Sequence, residues 1–465
     1  MATDEYDVAV VGAGPGGYVA AIRAAQLGLR TVIVEKAELG GICLNWGCIP
    51  TKALLRSAEV LQTARHAAAF GVQVGEVRPD LDAMVARSRD VARQLAQGVG
   101  YLLKKNGVKH VRAQARLDGP GRLALAAVDD AGRTAGAIRA AHIVLATGAR
   151  ARILPGLPPD PGTVWYYREA LMPSRIPDRL LVIGAGAIGI EFACFYRALG
   201  CSVHILEVAD RVLPAEDAEI SEHMAGALRK QGVTLHLGCK YESVQRTGDT
   251  WQIALHGGDT VCVDVILAAA GVVGNVEGLG LERTAARLEG SRIATGPYGE
   301  TGEPGLYAIG DLAIGPCLAH KASHQAVLCV ERIAGLSPHP LDLDQVPACT
   351  YGHPQVAHVG LTETQARARG YDVRIGRFPF KANGKAIAQG ATDGFVKIVL
   401  SSATGELLGA HMIGEGVTEM IQGPGLAMTL ETTEAELLQT VFAHPTQSEA
   451  LHEAVLSAYD RALHI

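Results

Sequence analysis

The sequence predicts an α/β protein of several domains, with two parallel-sheet modules of one plan followed by an α+β C-terminal region. Three observations carry this. Two stretches repeat each other with matched glycine spacing, and short Val/Ile/Leu runs alternate with helical patterns. After about residue 346 the pattern changes to runs suited to antiparallel strands. At 465 residues the chain also exceeds what a single core holds.

The repeat comes first. Residues 7–35 run from Asp-Val-Ala-Val-Val through Gly12-x-Gly14-x-x-Gly17 and a helical stretch ending at Gly28, then Thr31-Val-Ile-Val-Glu35. Residues 179–207 run from Arg-Leu-Leu-Val-Ile through Gly184-x-Gly186-x-x-Gly189 and a helical stretch ending at Gly200, then Ser202 to Glu207. In both copies the third glycine stands eighteen residues before the acidic residue. One such glycine motif is a weak signal; here each follows an apolar run, opens a helix and is completed by a Glu. The first glycine permits a tight turn, the second lets backbone approach a pyrophosphate, and the third allows close helix-to-strand packing. The helix N-terminus then offers unpaired N–H groups to the anion. Both modules are therefore read as Rossmann-like dinucleotide-binding folds. Glu35 and Glu207 each suit a ribose diol. An acid at the second strand end repels a 2′-phosphate, so Glu207 points to NAD or another dinucleotide with a free ribose.

Composition narrows the classes. A formal charge of −6 argues against a nucleic-acid surface, which Lys and Arg would build. Met1 to Asp7 is acidic with no positive n-region, and Leu180 to Tyr196, the longest apolar stretch, carries three glycines and Glu191. The first is no secretory signal and the second reads as strand, turn and helix, so a cytoplasmic protein is expected. Nine cysteines, an odd number in a chain this long, do not form a disulfide framework. Most are expected to pack as small apolar residues.

Further strands are expected at Ala141 to Leu145, closing at Thr147-Gly148, at Val261 to Ala270, closing at Gly271, and at Gly305 to Gly310-Asp311. Phe395 to Leu400 and Leu407 to Ile413, around a Gly405 turn, read as antiparallel partners, with helices from there to the C-terminus. Boundaries fall near 150, 271 and 346, giving segments 1–150, 151–271, 272–346 and 347–465.

Gly40-Gly41-Ile42-Cys43-Leu44-Asn45-Trp46-Gly47-Cys48-Ile49-Pro50-Thr51-Lys52 is the most informative stretch. A bent segment brings two such cysteines within disulfide range. Pro50 marks a helix start, which puts Cys48 at a helix N-terminus where the dipole favours thiolate. Thiolate is what disulfide exchange requires. A zinc site would need more ligands nearby, and none are present, so no metal is expected; two unrelated buried cysteines are the remaining alternative.

This loop resembles the redox-active segment of the pyridine nucleotide-disulfide oxidoreductases, in the form seen in their dihydrolipoyl-oxidising branch. The likeness extends over the chain: both glycine motifs, Gly310-Asp311, Ala319-His320-Lys321-Ala322, Tyr351-Gly-His-Pro354 and His444-Pro445-Thr446. It implies FAD at the first module and NAD at the second, and a C-terminal dimerisation domain. It implies a Cys43–Cys48 disulfide, with Cys43 exchanging with the substrate and Cys48 facing the flavin. Asp311 would contact the ribityl chain, with Thr147, Gly148, Gly271, Ala319 and His320 also at the cofactors. Lys52 would lie by the flavin, paired with Glu191 near the nicotinamide. Without the resemblance, Lys52 reads equally as a solvated helix residue and Glu191 as an exposed charge in a first helical turn.

At the C-terminus, Thr446-x-x-Glu449 reads as a capping box opening an amphipathic helix through Leu451, Val455, Tyr459 and Leu463. The resemblance makes His444 the base, polarised by Glu449, and gives it to the partner subunit of a homodimer. A dihydrolipoyl thiol, mostly protonated at neutral pH, needs such a base. The implied activity is oxidation of protein-bound dihydrolipoamide with reduction of NAD, in service of 2-oxoacid dehydrogenase or glycine cleavage complexes. Glutathione and mercuric reductases share the plan. Glu207 speaks against the NADPH of the first, and the lack of any cysteine after Cys349 against the second. A catalytically silent docking subunit is the alternative of another class. Four positions depart from the family's usual pattern: Trp46, Cys317, Gln447, and Gly271-Val-Val-Gly-Asn275, which lacks a usual Arg.

Overall fold

The structure, a computed structural model, describes residues 4–129 and 133–465. The first three residues of the acidic opening, Met1–Thr3, thus lie outside the described part. The chain divides into two compact units: Met1–Ala53 with Asp82–Arg152 and Gly271–Leu341, and Leu54–Leu81 with Ile153–Ala270 and Asp342–Ile465. The α/β class is as expected.

In the first unit a seven-stranded sheet is centred on Asp4–Val11. Thr31–Glu35 and Thr134–Leu145 flank that strand in parallel, Lys109–Arg112 extends one side, and Leu306–Ala308 lies parallel to the end of Thr134–Leu145. The beginning of Thr134–Leu145 instead pairs antiparallel with Arg122–Ala126, which pairs with Gln114–Leu117. Ala9, Val10, Val32 and Ile33 are fully buried, as strands covered on both faces require. The helix Pro15–Gln26 packs with Ala319–Ile333 through small residues such as Ala20, Ala24 and Ala326.

In the second unit five parallel strands run in the order Thr234–His236, Ser202–Leu206, Arg179–Ile183, Val265–Ala268 and Val164–Trp165. The run read as one strand from Val261 to Ala270 is in fact two. Thr260–Val263 ends an antiparallel meander, and Val265–Ala268 enters the parallel sheet. Asp264 marks the corner, its carboxylate accepting from the N–H and guanidinium of Arg179 (2.9 and 2.6 Å). A second, antiparallel sheet holds Phe395–Ser401 against Leu407–Gly414, as predicted, with Val373–Pro379, Gln355–Gly360 and Ala348–Thr350 outside them. The helix Glu449–Ser457 covers this sheet so closely that a Cβ on Gly376 would lie 1.7 Å from the Ala454 carbonyl oxygen.

That last helix is shorter than its periodicity suggested. It ends at Ser457, and Asp460 takes φ 56°, so Tyr459 and exposed Leu463 lie beyond it. Nor is its start a full capping box. Glu449 is the first helical residue and its carboxylate accepts from the Thr446 N–H (2.8 Å), but the Thr446 hydroxyl donates backwards to the Ala443 carbonyl (2.8 Å). Of the seven other cysteines, Cys194, Cys201 and Cys329 are buried, Cys239, Cys317 and Cys349 are half-buried, and Cys262 is exposed. No helix among the described residues is long and apolar enough to cross a membrane.

Candidate active site

The two glycine motifs fold alike down to individual hydrogen bonds. In the first module the Gly12 N–H donates to the Val34 carbonyl (2.8 Å), and Glu35 accepts from Ala13 N–H (2.7 Å) and Ala37 N–H (2.8 Å). In the second, Gly184 N–H donates to the Leu206 carbonyl (2.8 Å), and Glu207 accepts from Ala185 N–H (2.7 Å) and Ala209 N–H (2.8 Å). Each carboxylate oxygen thus holds one backbone donor and keeps lone pairs for a ribose hydroxyl. Gly12 and Gly184 adopt φ 100° and 106°, and a Cβ on either would lie within 2.6 Å of a carbonyl oxygen. A Cβ on Gly17 or Gly189 would strike the carbonyl of the first glycine at about 2 Å, since helix and turn touch there. Gly186 has open space, and Gly14 meets only Gly41 Cα at 3.9 Å, as a surface meant for a pyrophosphate should.

The redox stretch begins where Gly40 N–H donates to the Ala13 carbonyl (2.8 Å), which ties it to the first module. A short helix, Gly41–Trp46, carries Cys43; Gly47 breaks it; and Cys48 opens the helix Cys48–Arg65, two residues earlier than Pro50 suggested. Pro50 is tolerated there because N–H groups of a first turn have no helical acceptor. Buried Asn45 holds the bend, donating to the Leu39 and Gly41 carbonyls (2.9 and 3.0 Å), and the Thr51 hydroxyl donates to Gly47 O (2.7 Å). Arg89 lies over the Trp46 ring, 4.7 Å from its centroid, which gives this departure from the family pattern a packing role.

Both cysteines carry free thiols, with Cys48 exposed and Cys43 half-buried. The two are close enough to hydrogen-bond, and that bond, followed by burial and the charge of Cys48, holds the Cys43 proton far above the ordinary thiol range. Lys52 opposes this and Asp311 adds to it, so Cys43, Cys48, Lys52 and Asp311 share one electrostatic neighbourhood. Thr147 and Gly148 sit at the adjoining strand end, Thr147 exchanging hydrogen bonds with Asn275 (both 2.9 Å). Asn275 thereby supplies a contact that the Gly271-Val-Val-Gly-Asn275 run concealed. Gly271 takes φ 95° with open space at its Cβ position, and Ala319 and His320 begin the helix Ala319–Ile333.

The charges acting on Asp311 come from Lys321, which the sequence named only as part of a motif, and from Arg292, which it did not single out. Burial raises its carboxyl, and Lys321 and Arg292 pull it back down. Arg292 also donates to the Cys317 sulfur (3.1 Å), so the thiol standing where the family usually has Met is partnered.

In the second unit Glu191 is only 5% exposed and accepts from Tyr351 N–H (2.9 Å). The expectation of an exposed first-turn charge is thus corrected: the residue sits on the inner face of the helix Ala187–Ala198. His444 is 78% exposed, with Nδ1 2.9 Å from Glu449 Oε1. A carboxylate only accepts, so Nδ1 carries the proton and Nε2 is left as the basic nitrogen. Gln447 Nε2 donates to Glu415 O (3.0 Å). Among the described residues no group of three or more His, Cys, Asp or Glu is placed to hold a metal ion.

Two matched glycine turns, each closed by a carboxylate, and a thiol pair beside one of them are the framework of a nucleotide-dependent dithiol–disulfide oxidoreductase. The family model for pyridine nucleotide-disulphide oxidoreductases matches residues 6–326, and that for the family's dimerisation domain matches 346–455. The chain belongs to this family. It is 49% identical to a dihydrolipoyl dehydrogenase of Rhizobium etli over 99% of both chains, and 50% identical to one of Zymomonas mobilis over 99% of both. A mitochondrial dihydrolipoyl dehydrogenase of Arabidopsis thaliana is 39% identical over all of this chain and 92% of the relative. Among solved structures, LpdA of Mycobacterium tuberculosis superposes with TM-score 0.91 at 29% identity, covering 97% of this chain and 99% of that one. The HOCl-induced flavoprotein disulfide reductase RclA of Escherichia coli gives 0.85 at 26%, covering 97% and 99%.

Proposed function

We propose that the chain is a dihydrolipoyl dehydrogenase, which oxidises protein-bound dihydrolipoamide to lipoamide with FAD and reduces NAD. The observation that carries this is the Cys43–Cys48 pair in one neighbourhood with Lys52 and Asp311, next to the first of two matched ribose-binding turns. Glu35 and the open face at Gly14 fit the FAD diphosphate and ribose; Glu207 and Gly186 fit those of NAD, where a 2′-phosphate would be repelled by the carboxylate. In this reading 1–150 and 272–346 hold FAD, 151–271 holds NAD, and 347–465 forms the interface of a homodimer.

The cycle is a thiol–disulfide exchange. His444 Nε2 of the partner subunit, oriented through its Nδ1 by Glu449, takes the proton from a dihydrolipoyl thiol. The thiolate attacks Cys43 Sγ of the enzyme disulfide and Cys48 leaves as thiolate. The second substrate thiol displaces Cys43 as the lipoyl disulfide closes and hands its own proton to the departing Cys43 sulfur, while the first proton stays on His444 and is released to solvent. The substrate has given up two electrons, and both enzyme sulfurs are reduced. FAD, held at the first module by Glu35 and Asp311, would supply the two-electron relay between this dithiol and NAD. In the reduced pair the hydrogen bond keeps the proton on Cys43, so Cys48 is the thiolate facing the flavin. Lys52 contributes positive charge to that pair, and Glu191 lines the nicotinamide side.

The partners in this proposal are lipoyl domains of 2-oxoacid dehydrogenase or glycine cleavage complexes, and the location is cytoplasmic. The test is anaerobic titration of the purified protein with dihydrolipoamide. A long-wavelength thiolate-to-flavin band on adding one equivalent, and NADH formation on adding NAD, are expected. A flavin that stays oxidised, with no band, rejects the proposal.

A further inference from the structure

We propose, resting on the flavin reading above, that Lys321 is a positioning residue for FAD: together with Gln325 it clamps the Gly310 peptide and so fixes the Asp311 carboxylate as the flavin's acceptor. Lys321 is 1% exposed, a burial that a lysine reaches only with specific partners. Its Nζ donates to the Gly310 carbonyl (3.0 Å), and Gln325 Oε1, one turn further along the helix Ala319–Ile333, accepts from the Gly310 N–H (3.1 Å). Side chains four residues apart share a helix face, so one helix grips both hydrogen-bonding groups of one residue.

That residue is Gly310, with φ 71° and a would-be Cβ 3.3 Å from Ala322 Cβ. The next residue is Asp311. A φ that only glycine takes easily gives the chain freedom it would otherwise spend on other conformers, and the two side chains remove that freedom. The ammonium is also close enough for its charge to act on the Asp311 carboxyl, as the Arg292 guanidinium does. Arg292 is engaged with the Gly315 carbonyl and the Cys317 sulfur. Lys321 is thus the cation tied both to the backbone that carries Asp311 and to the charge of Asp311 itself. A buried ammonium without such a double role would be costly.

The test uses apoprotein titrated with FAD and followed by flavin fluorescence, between about pH 8 and about pH 5.5. Lys321→Met is expected to weaken FAD binding about 10- to 100-fold near neutrality, the usual scale for one charge-assisted contact. The deficit should widen as pH falls, because Asp311, deprived of its cation, takes a proton at higher pH than in the wild type. Lys321→Arg should restore the wild-type pH profile. Adding Lys321→Met to Asp311→Asn should cost nothing further. A pH-independent loss, or full additivity in that double variant, overturns the proposal. If Lys321→Met does not fold, Lys321→Arg and Lys321→Gln supply the same comparison. If the wild-type protein itself binds no FAD, it is the flavin reading that fails.

Discussion

Replacing Glu207 by Gln tests how the second module chooses its nucleotide. The Glu207 carboxylate takes Ala185 N–H at 2.7 Å on Oε2 and Ala209 N–H at 2.8 Å on Oε1, and it is nearly buried. Glutamine keeps the shape but offers one acceptor and one donor. One backbone N–H then confronts an NH2 group, and the other loses its charge assistance. Losing charge assistance on a hydrogen bond, from about 1.5–3 to about 0.5–1.5 kcal/mol, removes roughly 1–2 kcal/mol, and an unmet buried donor costs about 1–3 more. Part of this destabilises the turn itself. The share that reaches NAD through the ribose diol is one bond's worth, roughly 1.4–2.8 kcal/mol, which is about 10- to 100-fold in affinity.

NADPH should respond in the opposite direction, because its 2′-phosphate no longer meets a carboxylate. The assay is the reverse reaction: initial rates of lipoamide reduction by NADH and by NADPH, compared as kcat/KM. The expected result is a fall with NADH, a smaller fall or a gain with NADPH, and a ratio moved toward NADPH by at least tenfold. Glu35→Gln, with the same geometry in the first module, should loosen FAD and leave the nucleotide ratio unchanged. An unchanged ratio in Glu207→Gln would refute the reasoning, since the carboxylate would then be serving only the turn.

Cys43→Ser should abolish lipoamide turnover while FAD stays bound, as absorbance and activity of the same sample will show. His444→Gln should lower turnover about 10²- to 10⁴-fold with FAD content unchanged, the range for loss of a general base; a loss below threefold excludes that role. Lys397, 2% exposed and 2.5–2.9 Å from Asp217, Glu219 and Glu363, leaves three carboxylates without their shared cation when changed to Met. That should destabilise the fold by about 3–5 kcal/mol in denaturant unfolding. Arg377 first, and Lys397 against the opposing effect of burial, hold Glu219 down at about 2 from an ordinary 4.5. A depressed carboxylate stabilises above its unfolded pKa, so its contribution is full above 4.5 and lost as pH falls toward 2. Glu219→Gln should flatten stability in that window, as acid-unfolding curves will reveal.

Much of this molecule was legible in its sequence because backbone constraints act locally. Gly12, Gly17, Gly184 and Gly189 stand where any Cβ would meet a carbonyl oxygen, so their spacing alone located both turns. The cysteine stretch was legible for a similar reason, since a glycine break and a helix start leave few ways to arrange Cys43 and Cys48. What local patterns missed depends on partners far along the chain. The strand break at Asp264 exists because Arg179 ties it down, and Glu191 is drawn inward by Tyr351. The helical period through Leu463 gave no sign that Asp460 would turn to positive φ and end the run. Lys321 read as one letter of a motif. Its signal was a lysine on a helix whose other inward positions are Ala322, Ala326, Leu328, Cys329 and Val330.

The two modules also show how a duplicated scaffold acquires one chemistry rather than two. Their carboxylates, turn glycines and backbone bonds correspond residue for residue, so the scaffold alone does not distinguish them. The difference is in what attaches at the equivalent carbonyl. At Ala13 O the donor is Gly40 N–H (2.8 Å), and the chain beyond it carries Cys43 and Cys48. At Ala185 O the donor is Leu213 N–H (2.8 Å), and the chain beyond it carries Glu216 and Asp217. Those two acids are already committed, Glu216 to His358 at 2.6 Å and Asp217 to Lys397 at 2.9 Å. The first loop therefore brings reactive sulfurs to its nucleotide turn, whereas the second spends its ionisable groups on packing. On the reading proposed above, electron transfer to and from thiols falls to the first turn for that reason, and the second is left to bind NAD.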